Sequence, residues 1–268
     1  MSARVFEEVV RLQRAGEPAA LATIIGVAGS SPAKEPMKMV VRADGSCVGS
    51  VGGGCFEDDI RKSALDVIRD ERAVRRTYRL TEDESPGAGL VCGGEVEVYI
   101  EPITAPSLVV FGGGHVSKAV VELAAKVGFR VVVTDDRAEY ARADRFPAAI
   151  ETWSLPLAEA AARLIVGPQT YVLVMTRDHR LDREVLRLLS ERQLEPRYLG
   201  MIGSKSKVAA AFAALRESGV AESFLRSVRA PVGLSINAKL ADEIAVAIVA
   251  ELIAVRRGVA HPAPEPRP

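Results

Sequence analysis

The stretch FGGGHVSK, Phe111 to Lys118, places Gly112 and Gly114 at the first two positions of a G-x-G-x-x-G pattern and Ser117 at the third. That spacing suits a phosphate cradle. The first glycine makes the turn and the second lets backbone approach a pyrophosphate. The helix amino end beyond them offers free N–H groups and its dipole. His115 stands among these residues, either as a phosphate donor or as a solvent-facing residue of a helix start. Asp135 and Asp136, roughly 20 residues on, are placed to accept hydrogen bonds from a ribose. A second stretch, GMIGSKSK, sets Gly203, Ser204 and Lys205 at another helix start. They suit a further anionic group, or an ordinary serine cap with a solvated lysine. VMTRDHRLD brings Asp178, His179 and Asp182 to the carboxyl end of a strand, where open α/β sheets bind ligands. The bland alternative there is a polar loop and a helix cap.

A different glycine run, GSVGGGCFEDDI, carries Gly53, Gly54 and Cys55. Cys55 falls at a helix head, where the dipole favours thiolate. Glu57, Asp58 and Asp59 crowd the same turn; they favour the neutral thiol and complement the dipole themselves. Cys92 precedes Gly93 and Gly94 and shares the ambiguity. Both cysteines are candidate soft metal contacts or small buried residues, and their spacing does not choose. In an enzyme, Cys55, Cys92, Asp178 and His179 would be the catalytic candidates. Cys47, inside a strand pattern, reads as core.

The elements that must position these groups fall into two styles. Residues 1–105 read as a small mixed α+β domain. It opens with an amphipathic helix whose Val5, Phe6, Val9, Val10 and Leu12 point inward, followed by the strand AALATIIGV. A hairpin turns at Asp44-Gly45, a helix runs from about Cys55 to Asp70, and AVRRTYRL and GEVEVYIEPI alternate like half-buried strands. Residues 106–258 alternate apolar strands with helices, which implies a Rossmann-like α/β domain with a parallel sheet covered on both faces. In its last helix, Glu243 and Glu251 read as facing solvent or a partner copy. Residues 259–268, VAHPAPEPRP, are proline-rich, lack a core and read as a disordered tail.

Composition removes several classes. Lys plus Arg and Asp plus Glu number 35 each, so no global field recruits nucleic acid or a membrane surface. No apolar run approaches the roughly 18 residues of a membrane helix. The three cysteines form no CxxC, which argues against a disulfide framework or zinc ribbon, and a cytoplasmic location is expected.

Taken together, GSVGGGCFED, LVCGGEVEVYIEP, VVFGGGHVSKAV, VLVMTRDHRLD, YLGMIGSKSKV and PVGLSINAKLADEIAVAIVAEL resemble the XdhC/CoxI family, accessory proteins of xanthine dehydrogenase and related molybdenum hydroxylases. The resemblance implies a protein that binds molybdenum cofactor (molybdopterin, alone or as a dinucleotide), protects it during sulfuration and delivers it to an apo molybdenum hydroxylase. It implies no turnover by the chain itself. A cysteine desulfurase and a second copy of the chain are further partners to test. On this reading the middle glycine loop takes phosphate or nucleotide, and Gly53, Gly54 and Cys55 line the other end of the cofactor. Arg177 stands where the family commonly has histidine, and Asn237 to Ala241 lacks the usual helix-starting proline. The competing readings are an NAD(P)-dependent oxidoreductase and a nucleotide-sensing regulatory module.

Overall fold

The computed structural model describes residues 2–31, 36–79, 94–103, 106–167 and 169–259. The chain divides into two compact units, residues 1–105 and 106–268.

In the first unit, period-two burial builds an antiparallel sheet. Its elements are α1 (Ser2–Ala15), β1 (Ala19–Ala28), β2 (Lys38–Arg42), β3 (Cys47–Gly49), α2 (Gly54–Asp70), β4 (Val74–Arg79) and β5 (Glu95–Pro102). The strand order is β3-β2-β1-β5-β4, with every pairing antiparallel. Alternate residues of β1 serve opposite faces. Ala20, Ala22 and Ile24 pack with Phe56, Ile60 and Val67 of α2, whereas Ala19 and Leu21 pack with Val5 and Leu12 of α1. The β2–β3 hairpin turns at Asp44-Gly45, as its sequence implies.

Two side-chain expectations fail in this unit. Val5, Val9 and Leu12 form the inward stripe of α1, but Phe6 and Val10 are 49% and 44% exposed. The spacing 5, 9, 12 follows one helix face, and residues 6 and 10 lie about 100° further round. Cys47 is exposed rather than core, because β3 is a short edge strand and only one neighbour, β2, covers it. The Cys92 segment lies outside the described residues.

The second unit has β6 (Ser107–Phe111), α3 (His115–Lys126), β7 (Arg130–Asp135), β8 (Glu151–Ser154), α4 (Leu157–Arg163), β9 (Thr170–Val174), α5 (His179–Glu191), β10 (Tyr198–Met201), α6 (Lys205–Glu217), α7 (Glu222–Ser227), β11 (Val228–Arg229) and α8 (Ala241–Arg256). The sheet order is β11-β10-β9-β6-β7-β8, all parallel. Counted within this unit, that is the Rossmann order 3-2-1-4-5-6. Val109 and Phe111 face α4, α5 and α6, while Leu108 and Val110 face α3 and α8, so both sheet faces are covered. The order reverses between β6 and β9, which puts a crevice above their carboxyl ends.

The two carboxylates of α8 divide: Glu243 is exposed, as expected, whereas Glu251 departs from its expected surface role. Glu251 is 3% exposed and accepts hydrogen bonds from the Tyr198 hydroxyl at 2.7 Å and the Gly233 N–H at 2.6 Å. Glu243 is spent on the helix start, accepting from the N–H groups of Lys239 and Leu240 at 2.8 and 3.0 Å.

Candidate functional site

The middle glycine loop leaves β6 at the switch point. Gly112 has φ 111°, and a Cβ there would drive into the Met175 carbonyl. A Cβ on Gly113 would collide with the Tyr140 carbonyl. These two glycines are demanded by the fold. Gly114 is not. Its φ is −70°, open to any residue, and a Cβ there would meet nothing within 4 Å. Immediately beyond it, the N–H groups of His115, Val116 and Ser117 have no acceptor among the described residues, as expected of a helix first turn without a side-chain cap. His115 is exposed in that turn. Ser117 is 1% exposed, so it is the small residue that lets α3 pack closely.

Both acids at the end of β7 are engaged inside the protein. Asp135 is buried; its Oδ2 accepts from Gly113 N–H at 2.9 Å and its Oδ1 from Arg137 N–H at 3.1 Å and Arg137 Nε at 3.0 Å. Arg137 also lies over the Tyr140 ring at 3.6 Å, and Arg145 Nε donates to the Gly113 carbonyl at 3.1 Å. Asp135 thus shapes the glycine loop. Asp136 is held by both terminal nitrogens of Arg177, which reaches it from the end of β9. That bidentate contact holds the Asp136 carboxyl below its usual range and raises Arg177. Neither acid has an oxygen left without a protein partner for a ribose diol.

A cavity of about 220 Å³ opens between the amino ends of α5 and α6. Its polar groups are Thr176, Arg177, Asp178, His179, Asp182 and Lys207. Met201, Ile202 and Ala211 supply apolar wall. Asp178 is the cap of α5; it accepts from Arg180 N–H at 2.8 Å, which holds its carboxyl below the usual range, and lies 3.2 Å from His179 Nδ1. Asp182 is 6% exposed. Burial pushes its carboxyl up to about 6, against the hydrogen bonds it receives from Thr176. Gly203 lines this cavity. Ser204 caps α6 through a long contact from Lys207 N–H at 3.4 Å, and Lys205 is exposed outside the lining.

The amino-terminal glycine loop has the opposite character. Gly52, Gly53 and Gly54 all take positive φ, at 135°, 82° and 70°. The loop wraps the Glu57 carboxylate, whose Oε2 accepts from Ser50 Oγ, Val51 N–H and Gly53 N–H at 2.7, 3.2 and 3.0 Å. Gly52 N–H turns to Ser50 Oγ at 3.3 Å. The acids beside it pair locally, Asp58 with Arg61 and Asp59 with Lys62. Cys55 lies in this first turn of α2, but its side chain lies outside the described set, as does Cys92. No group of three or more His, Cys, Asp or Glu among the described residues could hold a metal ion.

Residues 108–252 match the XdhC Rossmann domain, and residues 12–79 match the XdhC and CoxI family. The chain belongs to the XdhC and CoxI family. Within reach of it is the YqeB protein of Escherichia coli K12, 33% identical over 254 residues; the match takes in 94% of this chain and 46% of YqeB, so the chain spans about half of that relative's length. The molybdenum cofactor insertion chaperone PaoD of the same organism is 28% identical over 94% of this chain and 88% of its own. A crystal structure described as a xanthine dehydrogenase from Bacillus halodurans is 27% identical, covers 97% of each chain and superposes with a TM-score of 0.52. No helix among the described residues is long and apolar enough to cross a membrane.

In this family member the fold brings Asp178, His179, Asp182 and Gly203 to one cavity, and Gly112, Gly114 and His115 to one loop. Thr176 and Lys207 escaped the sequence reading. Thr176 lies two residues past the end of β9, where any polar residue passes for a turn. Lys207 lies two positions after Lys205 in GSKSK, and only the helix phase selects between them.

Proposed function

We propose that the chain binds molybdenum cofactor and delivers it to a xanthine dehydrogenase-type molybdenum hydroxylase. One observation carries the binding half of this reading. Gly114 is small where the fold has no need of smallness, directly before a helix start whose N–H groups are unspent. A glycine that the chain itself does not require suits close approach by something else, and a phosphate is what such a turn accepts. The residues present therefore fit the phosphate end of the cofactor, with Gly112, Gly114 and the first turn of α3 as its cradle. The class of cofactor and the hydroxylase client follow from kinship with a molybdenum cofactor insertion chaperone. When bound, the cofactor supplies the metal and dithiolene that the client uses. This chain's residues hold the phosphate, exclude water and keep the ligand intact. Cys55 and Cys92 are the soft side chains we assign to the metal end, on the chemistry of thiolate and molybdenum. The work is expected in the cytoplasm.

The oxidoreductase reading loses support from the same region, because Asp135 and Asp136 are committed to Gly113, Arg137 and Arg177. The test is to express the chain in a molybdenum-replete host, purify it, denature it, and measure released molybdenum and pterin. The purified protein is then mixed with an apo-hydroxylase and recovered activity is measured. Released pterin with metal, and activation that exceeds free cofactor, is the expected result. A preparation that carries only nicotinamide nucleotide and activates nothing would replace this reading with the oxidoreductase one.

A further inference from the structure

We propose that the cavity between the amino ends of α5 and α6 recognises the 2-amino-4-oxopyrimidine ring shared by pterins and guanine. The proposal deepens the reading of the chain as a cofactor carrier, and rests on it for the expectation that the natural ring is a pterin.

An unspent oxygen of a largely buried side chain, open to the cavity, carries it. Asp182 is 94% shielded, and its Oδ1 accepts from Thr176 N–H and Thr176 Oγ1 at 2.9 and 2.6 Å. Its Oδ2 has no hydrogen-bond partner among the described residues, and the side chain lines the cavity. A carboxylate removed from water is unfavourable until donors complete it. The ring N–H and exocyclic amine of a 2-amino-4-oxopyrimidine stand side by side, the donor pattern that a carboxylate accepts best. Next to them on the ring is a carbonyl oxygen, an acceptor. Lys207 lines the same cavity, and its ammonium has no ion-pair partner among the described residues. Met201, Ile202 and Ala211 offer apolar wall to a flat ring face.

Size and charge sharpen the choice. The cavity of about 220 Å³ falls below the roughly 300–1,000 Å³ of pockets that enclose whole drug-sized ligands. It takes one fused ring and leaves the rest of a cofactor outside. A phosphate is a poor occupant, because Asp178 and Asp182 both line the space and Arg177 is already clasped to Asp136. A neutral ring with donors on one edge and an acceptor beside them meets both Asp182 and Lys207.

The probes are pterin, guanosine and adenosine, titrated into the full chain, Asp182→Asn and Lys207→Ala by calorimetry. Pterin and guanosine should bind about tenfold or more tighter than adenosine. Asp182→Asn should lose about tenfold or more for both rings, the scale of a charge-assisted hydrogen bond, and Lys207→Ala less. The amide keeps an acceptor for Thr176, so the variant should fold; Lys207→Ala, at an exposed position, gives the reading if it does not. Acid offers a second readout. Asp178, His179, Arg177 and Lys207 face Asp182 from its own helix, the β9 end and α6. Pterin affinity should fall as pH drops below about 6 in the wild type and stay level in Asp182→Asn. Equal affinity for all three probes, or pterin binding indifferent to both substitutions, overturns the assignment and leaves the cofactor reading standing. Guanosine binding that Asp182→Asn abolishes, with no pterin binding at all, would uphold ring recognition and remove the pterin cofactor instead.

Discussion

The two glycine loops look alike in sequence and differ in what fills them. In the amino-terminal loop, the N–H groups of Val51 and Gly53 close on Glu57, a carboxylate four residues beyond the last of them. In the middle loop, Asp135 takes only the Gly113 N–H, and the first-turn N–H groups beyond Gly114 stay open. One loop is an anion site that carries its own anion. The other keeps its first-turn N–H groups open, and on our proposal a ligand supplies the anion. Glycine content marks a place where backbone N–H groups converge; the nearest acid and its reach decide whether that place is structural.

The comparison breaks most sharply at Gly113. Gly113→Ala pushes a methyl into the Tyr140 carbonyl and should cost roughly 2–5 kcal/mol of stability, read as a fall in the denaturant midpoint. An unchanged midpoint would mean the loop is not held as described. A smaller effect is expected across the molecule at Glu57. Glu57→Ala leaves two loop N–H groups without their acceptor and should cost about 1–3 kcal/mol. Added sulfate should restore part of that loss in the variant and do nothing comparable for the wild type; no rescue would show that the emptied loop is not an anion site.

Asp182 extends the contrast between a spent carboxylate and an open one. Its folded-state value of about 6 lies above the ordinary 3.8, so the native state binds the proton more tightly than the unfolded chain does. This group therefore penalises the fold above about pH 6, and the penalty fades as pH falls toward 4. Asp182→Asn should be about 1–2 kcal/mol more stable than wild type at pH 8, with the difference shrinking by pH 5. A difference independent of pH would mean that Asp182 is well hydrated.

Much of the fold was legible in the chain. Apolar strands alternating with helices dictate the parallel sheet, and Asp44-Gly45 dictates the hairpin. β11 and α7 were not, because a two-residue strand and a six-residue helix carry too few positions to show a period. The site was legible to the level of loops. GxGxxG marked the loop that leaves β6 at the switch point, and the strand end marked Asp178 and His179 of the cavity. What each acid does was not legible. Asp135 and Asp136 are adjacent, yet one turns inward to Gly113 and the other outward to Arg177, since successive residues at a strand end point to opposite sides. Glu57 and Lys207 depend likewise on how a loop curls and on helix phase, which no pattern of residue types records.

The central claim is that Gly114 is small for a ligand and not for the fold. Its most direct test is the molybdenum and pterin retained by Gly114→Val purified from a molybdenum-replete host, beside wild type. Stability should change by less than about 1 kcal/mol, because the backbone is ordinary there and a Cβ meets nothing within 4 Å. Retained cofactor should fall by about tenfold or more, since the new side chain occupies the phosphate's place. A variant that folds normally and keeps its full load of molybdenum and pterin would contradict the account.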